Sequence, residues 1–141
     1  MGALRMDSFT LEVDVPGSAI DGLGHVNNVE YVRWMQEAAT AHADAAGCTA
    51  ATQADAAIWV VRSHRIDYLR PAFAGETIRI RTWVANTRRA FSLRCYEFVR
   101  AADETVLAKA ETDWVYLDRS SGRPKSIPTQ IRALFGLPVE P

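Results

Sequence analysis

Eight consecutive residues, Asp21-Gly22-Leu23-Gly24-His25-Val26-Asn27-Asn28, hold a carboxylate, an imidazole and two amides where a glycine-bearing loop runs into an amphipathic segment. The first turn of a helix presents unpaired N–H groups and the positive end of the helix dipole, and so attracts anions and oxyanions. Such a passage suits acyl transfer. N–H groups near Asn28 and Val29 can polarise a carbonyl and hold the oxyanion, while Asp21 activates water or attacks the carbonyl directly. Each residue also has a plainer role. Asp21 fits a turn beside Gly22, Asn27 or Asn28 fits a helix cap, and His25 fits a hydrogen-bonding loop residue. His42 falls inside an apolar stripe and His64 inside a strand, and both read as structural. Cys48 and Cys95 lie far apart, without an adjacent base or C-x-x-C spacing, and read as packing residues rather than as a disulfide or a metal site. No P-loop, dinucleotide fingerprint or G-x-S-x-G elbow is present, and no metal or redox cofactor is expected.

The elements that must position these residues follow from periodicity. Phe9 to Val15 alternates apolar and polar residues, the period of a half-buried strand, and Pro16-Gly17-Ser18 ends it. From Val29 to Ala46 the pattern is helical. Tyr31, Val32, Met35, Ala38, Ala39, His42, Ala43 and Ala46 form the expected buried face, opposite Glu30, Arg33, Glu37, Thr40 and Asp44. Gly47 suits the helix stop. After a small-residue stretch through Ala57, strands are expected over Ile58 to Arg70, Glu76 to Asn86, Ala90 to Ala101 and Thr105 to Leu117. Their short connections predict an antiparallel meander. Gly122 marks a turn, and Pro128 opens a short helix to Phe135. The order β–α–ββββ predicts an α+β fold, one long helix packed on one antiparallel sheet.

About half of the 141 residues are apolar, enough for a single core, and one domain over residues 1–141 is expected. Met1 to Met6 does not read as a secretory or lipidation signal, and no run is long enough to span a membrane. The absence of a disulfide framework points to a cytoplasmic protein. A net charge of −1 argues against nucleic-acid binding. Charge is nevertheless uneven: up to Val61 there are two Lys and Arg against eight Asp and Glu, and beyond it fourteen against nine. The basic residues read either as the solvent face of strands or as a surface for a small anion.

The run from Asp21 to Trp34 resembles the D-x-x-G-H-V-N-N-x-x-Y-x-x-W/F stretch of hot-dog acyl-CoA thioesterases related to 4-hydroxybenzoyl-CoA thioesterase. The resemblance continues through Ile66 to Ala72, Gly75 to Thr77, Trp114 to Asp118 and Gly122 to Pro128, covering about Phe9 to Phe135. It implies a hot-dog fold, a homodimer or homotetramer, and an acyl-CoA substrate bound between subunits. It implies that Asp21 is the catalytic carboxylate beside His25, that the N–H around Asn28 polarises the carbonyl with Asn27 next to it, and that Tyr31 lines the acyl pocket. Arg88 and Arg89 become candidates for the coenzyme A phosphates. Plant-type acyl carrier protein (ACP) thioesterases share part of the run, so an acyl carrier protein is an alternative partner, but they carry Asn where this chain has Leu23. A non-catalytic acyl-CoA-binding module is the third reading. The hot-dog dehydratases, built on H-F-P, do not fit His25-Val26-Asn27.

Overall fold

The computed structural model describes residues 7–137. The element order is β1 (Phe9–Asp14), α1 (Asn28–Ala46), α2 (Cys48–Ala54), β2 (Ala57–Tyr68), β3 (Thr77–Arg88), β4 (Phe91–Arg100), β5 (Thr105–Asp118) and α3 (Thr129–Leu134), with one 3₁₀ turn over Gly17–Ala19. The five strands form one antiparallel sheet wrapped around α1, the expected α+β arrangement.

Local signals fix α1 at both ends. Asn27 is the cap, its side chain accepting from the Val29 N–H at 3.0 Å, and Glu30 places a negative charge in the first turn. At the other end Gly47 takes the left-handed conformation (φ 85°) that a residue with Cβ adopts only with strain. The buried face holds Tyr31, Trp34, Met35, Ala38, Ala39 and His42. Trp34, absent from the expected face, lies one turn above Tyr31 and stacks edge-on against it. Beneath this face the sheet offers Ile78, Ile80, Tyr96, Phe98 and the small Ala108 and Ala110, and the alanines on both sides let helix and sheet backbones approach closely. Truncating a fully buried ring such as Phe98 to Ala would cost about 3–5 kcal/mol.

Two expectations are corrected. The small-residue stretch before Ala57 contains a helix, α2, whose Ala50, Ala51 and Ala54 favour helix but which is too short to show an apolar stripe. The meander holds only for β3–β4–β5: the sheet order is β1-β3-β4-β5-β2, so β2 pairs with β5 and not with β3. The connection over residues 69–76 is therefore no hairpin. It leaves β2 with the Leu69 and Arg70 N–H groups bonded to Leu107 O, passes the helix start where Val26 N–H bonds Ala72 O, and reaches the other side of the sheet, where Gly75 N–H bonds Val15 O. Glu76 clips it in place, accepting from the Phe73 N–H at 2.8 Å and pairing with Arg100 at 2.9 Å. Both edges of the sheet, β1 and β2, are open among the described residues.

Candidate functional site

The loop before α1 is closed by its own backbone. Asp21 N–H donates to His25 O at 2.9 Å, Gly24 N–H donates to Asp21 O at 3.1 Å, and Ile20 pairs with Val26 as an isolated antiparallel bridge. Closure in so few residues needs a left-handed position, which Gly24 supplies at φ 86°. Asn27 N–H then bonds Ala19 O and Val26 N–H bonds Ala72 O, so the loop is held from both sides.

Within this frame the Asp21 carboxylate is half-buried. Oδ1 accepts from the Leu23 N–H at 2.9 Å, while Oδ2 faces His25 Nδ1 at 3.8 Å, too long for a hydrogen bond. One carboxylate oxygen is thus engaged in the turn and the other is available to a reacting group. The side chain of Asn27 is spent on the cap. Asn28, the first helical residue, has an N–H with no acceptor among the described residues, at the positive end of a 19-residue helix.

Tyr31, one turn further, is buried among Trp34, Tyr68 and Phe98, all edge-on at 5.1 to 5.6 Å. Burial, reinforced by Tyr68 and Glu76, pushes its hydroxyl up to about 12, so it is a neutral donor at physiological pH. Exposed apolar side chains surround the site: Leu23 and Val29 on the loop and helix start, Tyr68 at the end of β2, and Leu69 and Phe73 on the crossing connection. Sequence patterning missed this crossing segment as a site element. Its only local signal is the run from Ile66 to Ala72, and its position follows from the pairing of β2 with β5.

Arg88 and Arg89 are not brought to Asp21 within one chain. They form the β3–β4 turn, with Arg89 at φ 53° and its carbonyl accepting from Ile127 N–H. The opposite end of β3 adjoins the loop that meets Val26, and the length of β3 between them is roughly 36 Å at 3.3 Å per residue. Of the fourteen Lys and Arg beyond Val61, four pair with carboxylates of the described residues. Arg79 contacts Glu104, Arg100 contacts Glu76 and Asp103, Arg65 contacts Asp67, and Lys125 contacts Asp55. His64 bonds Thr112 at 2.8 Å, and His42 is buried and bonded to Arg94, both in structural settings. Among the described residues no group of three His, Cys, Asp or Glu is placed to hold a metal ion, and no helix is long and apolar enough to cross a membrane.

A family model described as thioesterase-like superfamily matches residues 15–135. A sequence comparison with curated proteins finds no match. Solved structures match the whole fold. A 1,4-dihydroxy-2-naphthoyl-CoA thioesterase from Synechocystis superposes with TM-score 0.82 at 18% identity, over 95% of this chain and 99% of that one. A DHNA-CoA thioesterase from Staphylococcus aureus gives 0.76 at 18% identity, over 84% and 80%. The 12:0-ACP thioesterase from Umbellularia californica gives 0.82 at 18% identity, over 94% of this chain and 51% of that one, so here the chain spans about half its relative. At these identities the likeness establishes the hot-dog fold.

Proposed function

Because the chain belongs to the thioesterase-like superfamily, we propose that it hydrolyses an acyl-CoA thioester to the free acid and coenzyme A, with Asp21 as the reacting carboxylate. The observation that carries this reading is the closed loop itself. It sets a half-buried carboxylate with one oxygen unengaged immediately before a helix whose first N–H, that of Asn28, has no acceptor among the described residues.

The chemistry follows from that pairing. The thioester carbonyl oxygen accepts from the Asn28 N–H, and the helix dipole stabilises negative charge as it develops there. Asp21 takes a proton from water as the water oxygen bonds to the carbonyl carbon, or bonds to that carbon itself to give an acyl-enzyme that water then opens. Collapse of the tetrahedral intermediate breaks the C–S bond; on the first route the thiolate takes the proton held by Asp21, and on the second it takes the proton released by the water that opens the acyl-enzyme. His25, 3.8 Å from Oδ2, is assigned to orienting the carboxylate, Asn27 to holding the helix start, and Tyr31 to the inner wall of the acyl site.

The proposal includes pairing of two copies. The free edge of β2 is twelve residues long, with Ile58 and Val60 exposed near its start, and an open edge of that length invites another strand. The apolar side chains around Asp21 form an incomplete wall that a second copy would close. Arg88 and Arg89 can serve the coenzyme A phosphates only from a neighbouring subunit, given their distance along β3.

The test is thiol release from short, long and aromatic acyl-CoAs and from one acyl carrier protein thioester, with Asp21→Asn beside the parent. Turnover of a CoA substrate that is lost in the variant supports the reading. Turnover of the carrier thioester alone reassigns the substrate, and binding of acyl-CoA recovered intact would make this a binding module.

A further inference from the structure

At the other end of α1 lies a cavity of about 400 Å³, within the range of small-molecule sites. Ala39 and Ala43 of α1 line it, roughly 16 to 22 Å along the helix from Asn28 at 1.5 Å per residue. Cys48, Val84, Ile131 and Phe135 complete an apolar wall drawn from α2, the sheet and α3. None of Asp21, His25, Asn27 or Asn28 contributes to it.

Three arginines line the wall: Arg119 is exposed, Arg132 donates to Arg89 O, and Arg94 is buried without a carboxylate among the described residues. Arg94 points inward from β4, in phase with Tyr96 and Phe98, and is only 5% exposed. Its Nη1 donates to His42 Nδ1 at 2.9 Å and to Thr82 Oγ1 at 3.1 Å. Its guanidinium lies 5.6 Å from the centre of the Phe135 ring. No carboxylate of the described residues pairs with it, and its Nε and Nη2 have no acceptor there. His42 cannot supply the missing charge: burial and the neighbouring guanidinium hold it down at about 4, so it is a neutral acceptor. Burying an ion without a counter-ion is costly, and a guanidinium stays protonated in proteins and favours the planar geometry of a carboxylate.

We propose that this cavity is a second binding site, distinct from the Asp21 loop, for a carboxylic acid with a compact apolar body. The carboxylate pairs with Nε and Nη2 of Arg94, and the body lies against Ala39, Ala43, Val84 and Phe135. Free acids are what the proposed hydrolysis releases; that link rests on the hydrolytic reading, whereas the site rests on the cavity and a guanidinium without a carboxylate partner among the described residues.

The test is calorimetric titration with octanoate and with octanamide, which differ in charge but not in shape. Octanoate should bind the parent at least tenfold more tightly than octanamide. Arg94→Gln should abolish that preference, and Ala43→Phe, which fills the cavity and leaves Arg94 in place, should weaken both ligands at least tenfold. Asp21→Asn should leave octanoate affinity within twofold of the parent even when it abolishes turnover, so the two readings fail separately. No octanoate binding to the parent, equal affinity for acid and amide, a preference that survives Arg94→Gln, or loss of binding in Asp21→Asn would each overturn the proposal. Should Arg94→Gln not fold, the acid-to-amide ratio in the parent together with Ala43→Phe decides the question.

Discussion

Replacing Asp21 by Asn separates the chemical role of the carboxylate from its role in the turn. The Leu23 N–H bond to Oδ1, 2.9 Å long, needs only an oxygen, which the Asn amide retains. The backbone bonds that close the loop, Asp21 N–H to His25 O and Gly24 N–H to Asp21 O, do not involve the side chain. The variant therefore loses only the charge-assisted part of one exposed hydrogen bond, less than about 1 kcal/mol, and the melting temperature should move by no more than roughly 3–5 °C. A domain stable by about 5–15 kcal/mol remains essentially all folded after such a loss. An amide can neither accept the proton of water nor attack a thioester at a useful rate, so kcat should fall about 10²- to 10⁴-fold, or roughly 3–5 kcal/mol in barrier height. Thiol release and thermal unfolding measured on the same preparation keep the two effects apart. Turnover within about threefold of the parent, on the parent's best substrate, would refute the assignment of Asp21.

The cap at the helix start makes a stability prediction: Asn27→Ala should cost about 0.5–2 kcal/mol in urea unfolding, whereas Asn27→Asp, which keeps an acceptor for the Val29 N–H, should stay near the parent. His42 makes a pH prediction. Burial first, and the Arg94 charge second, lower it from 6.5 to about 4, so the unfolded chain takes up the proton before the folded one does. Its contribution is complete above pH 6.5 and is lost as the pH falls toward 4, up to roughly 3 kcal/mol. His42→Asn, which keeps an acceptor for Arg94 but does not titrate, should flatten the unfolding free energy between pH 7 and 4.5 relative to the parent; an unchanged slope would show that His42 does not drive it. For the open β2 edge, Ile58→Lys with Val60→Lys should shift light-scattering mass from a multiple of 15.6 kDa toward the single chain, and a mass unaffected by the two charges would exclude pairing through that edge.

What was legible in the sequence divides along a physical line. The loop and helix start are built from contacts only a few residues apart: the Asn27 cap, the Gly24 turn, the Asp21 bond to Leu23. Residue types state such contacts directly, and strand and helix periods were readable for the same reason. The pairing of β2 with β5 was not, because the crossing connection over residues 69–76 looks like any short turn until Leu107, Val26 and Val15 supply partners for its backbone. Arg94 is the sharper case. Its phase was readable, since it alternates with Ser92, Tyr96 and Phe98, and all four are buried. Arginine is so rarely buried that composition reassigns it to solvent even when periodicity puts it in the core. That conflict between period and residue type is itself a signal, since an unpaired buried ion persists only where something compensates its cost. The loop carrying the proposed chemistry is thus written locally, whereas the distal cavity exists only once four distant segments meet around Arg94.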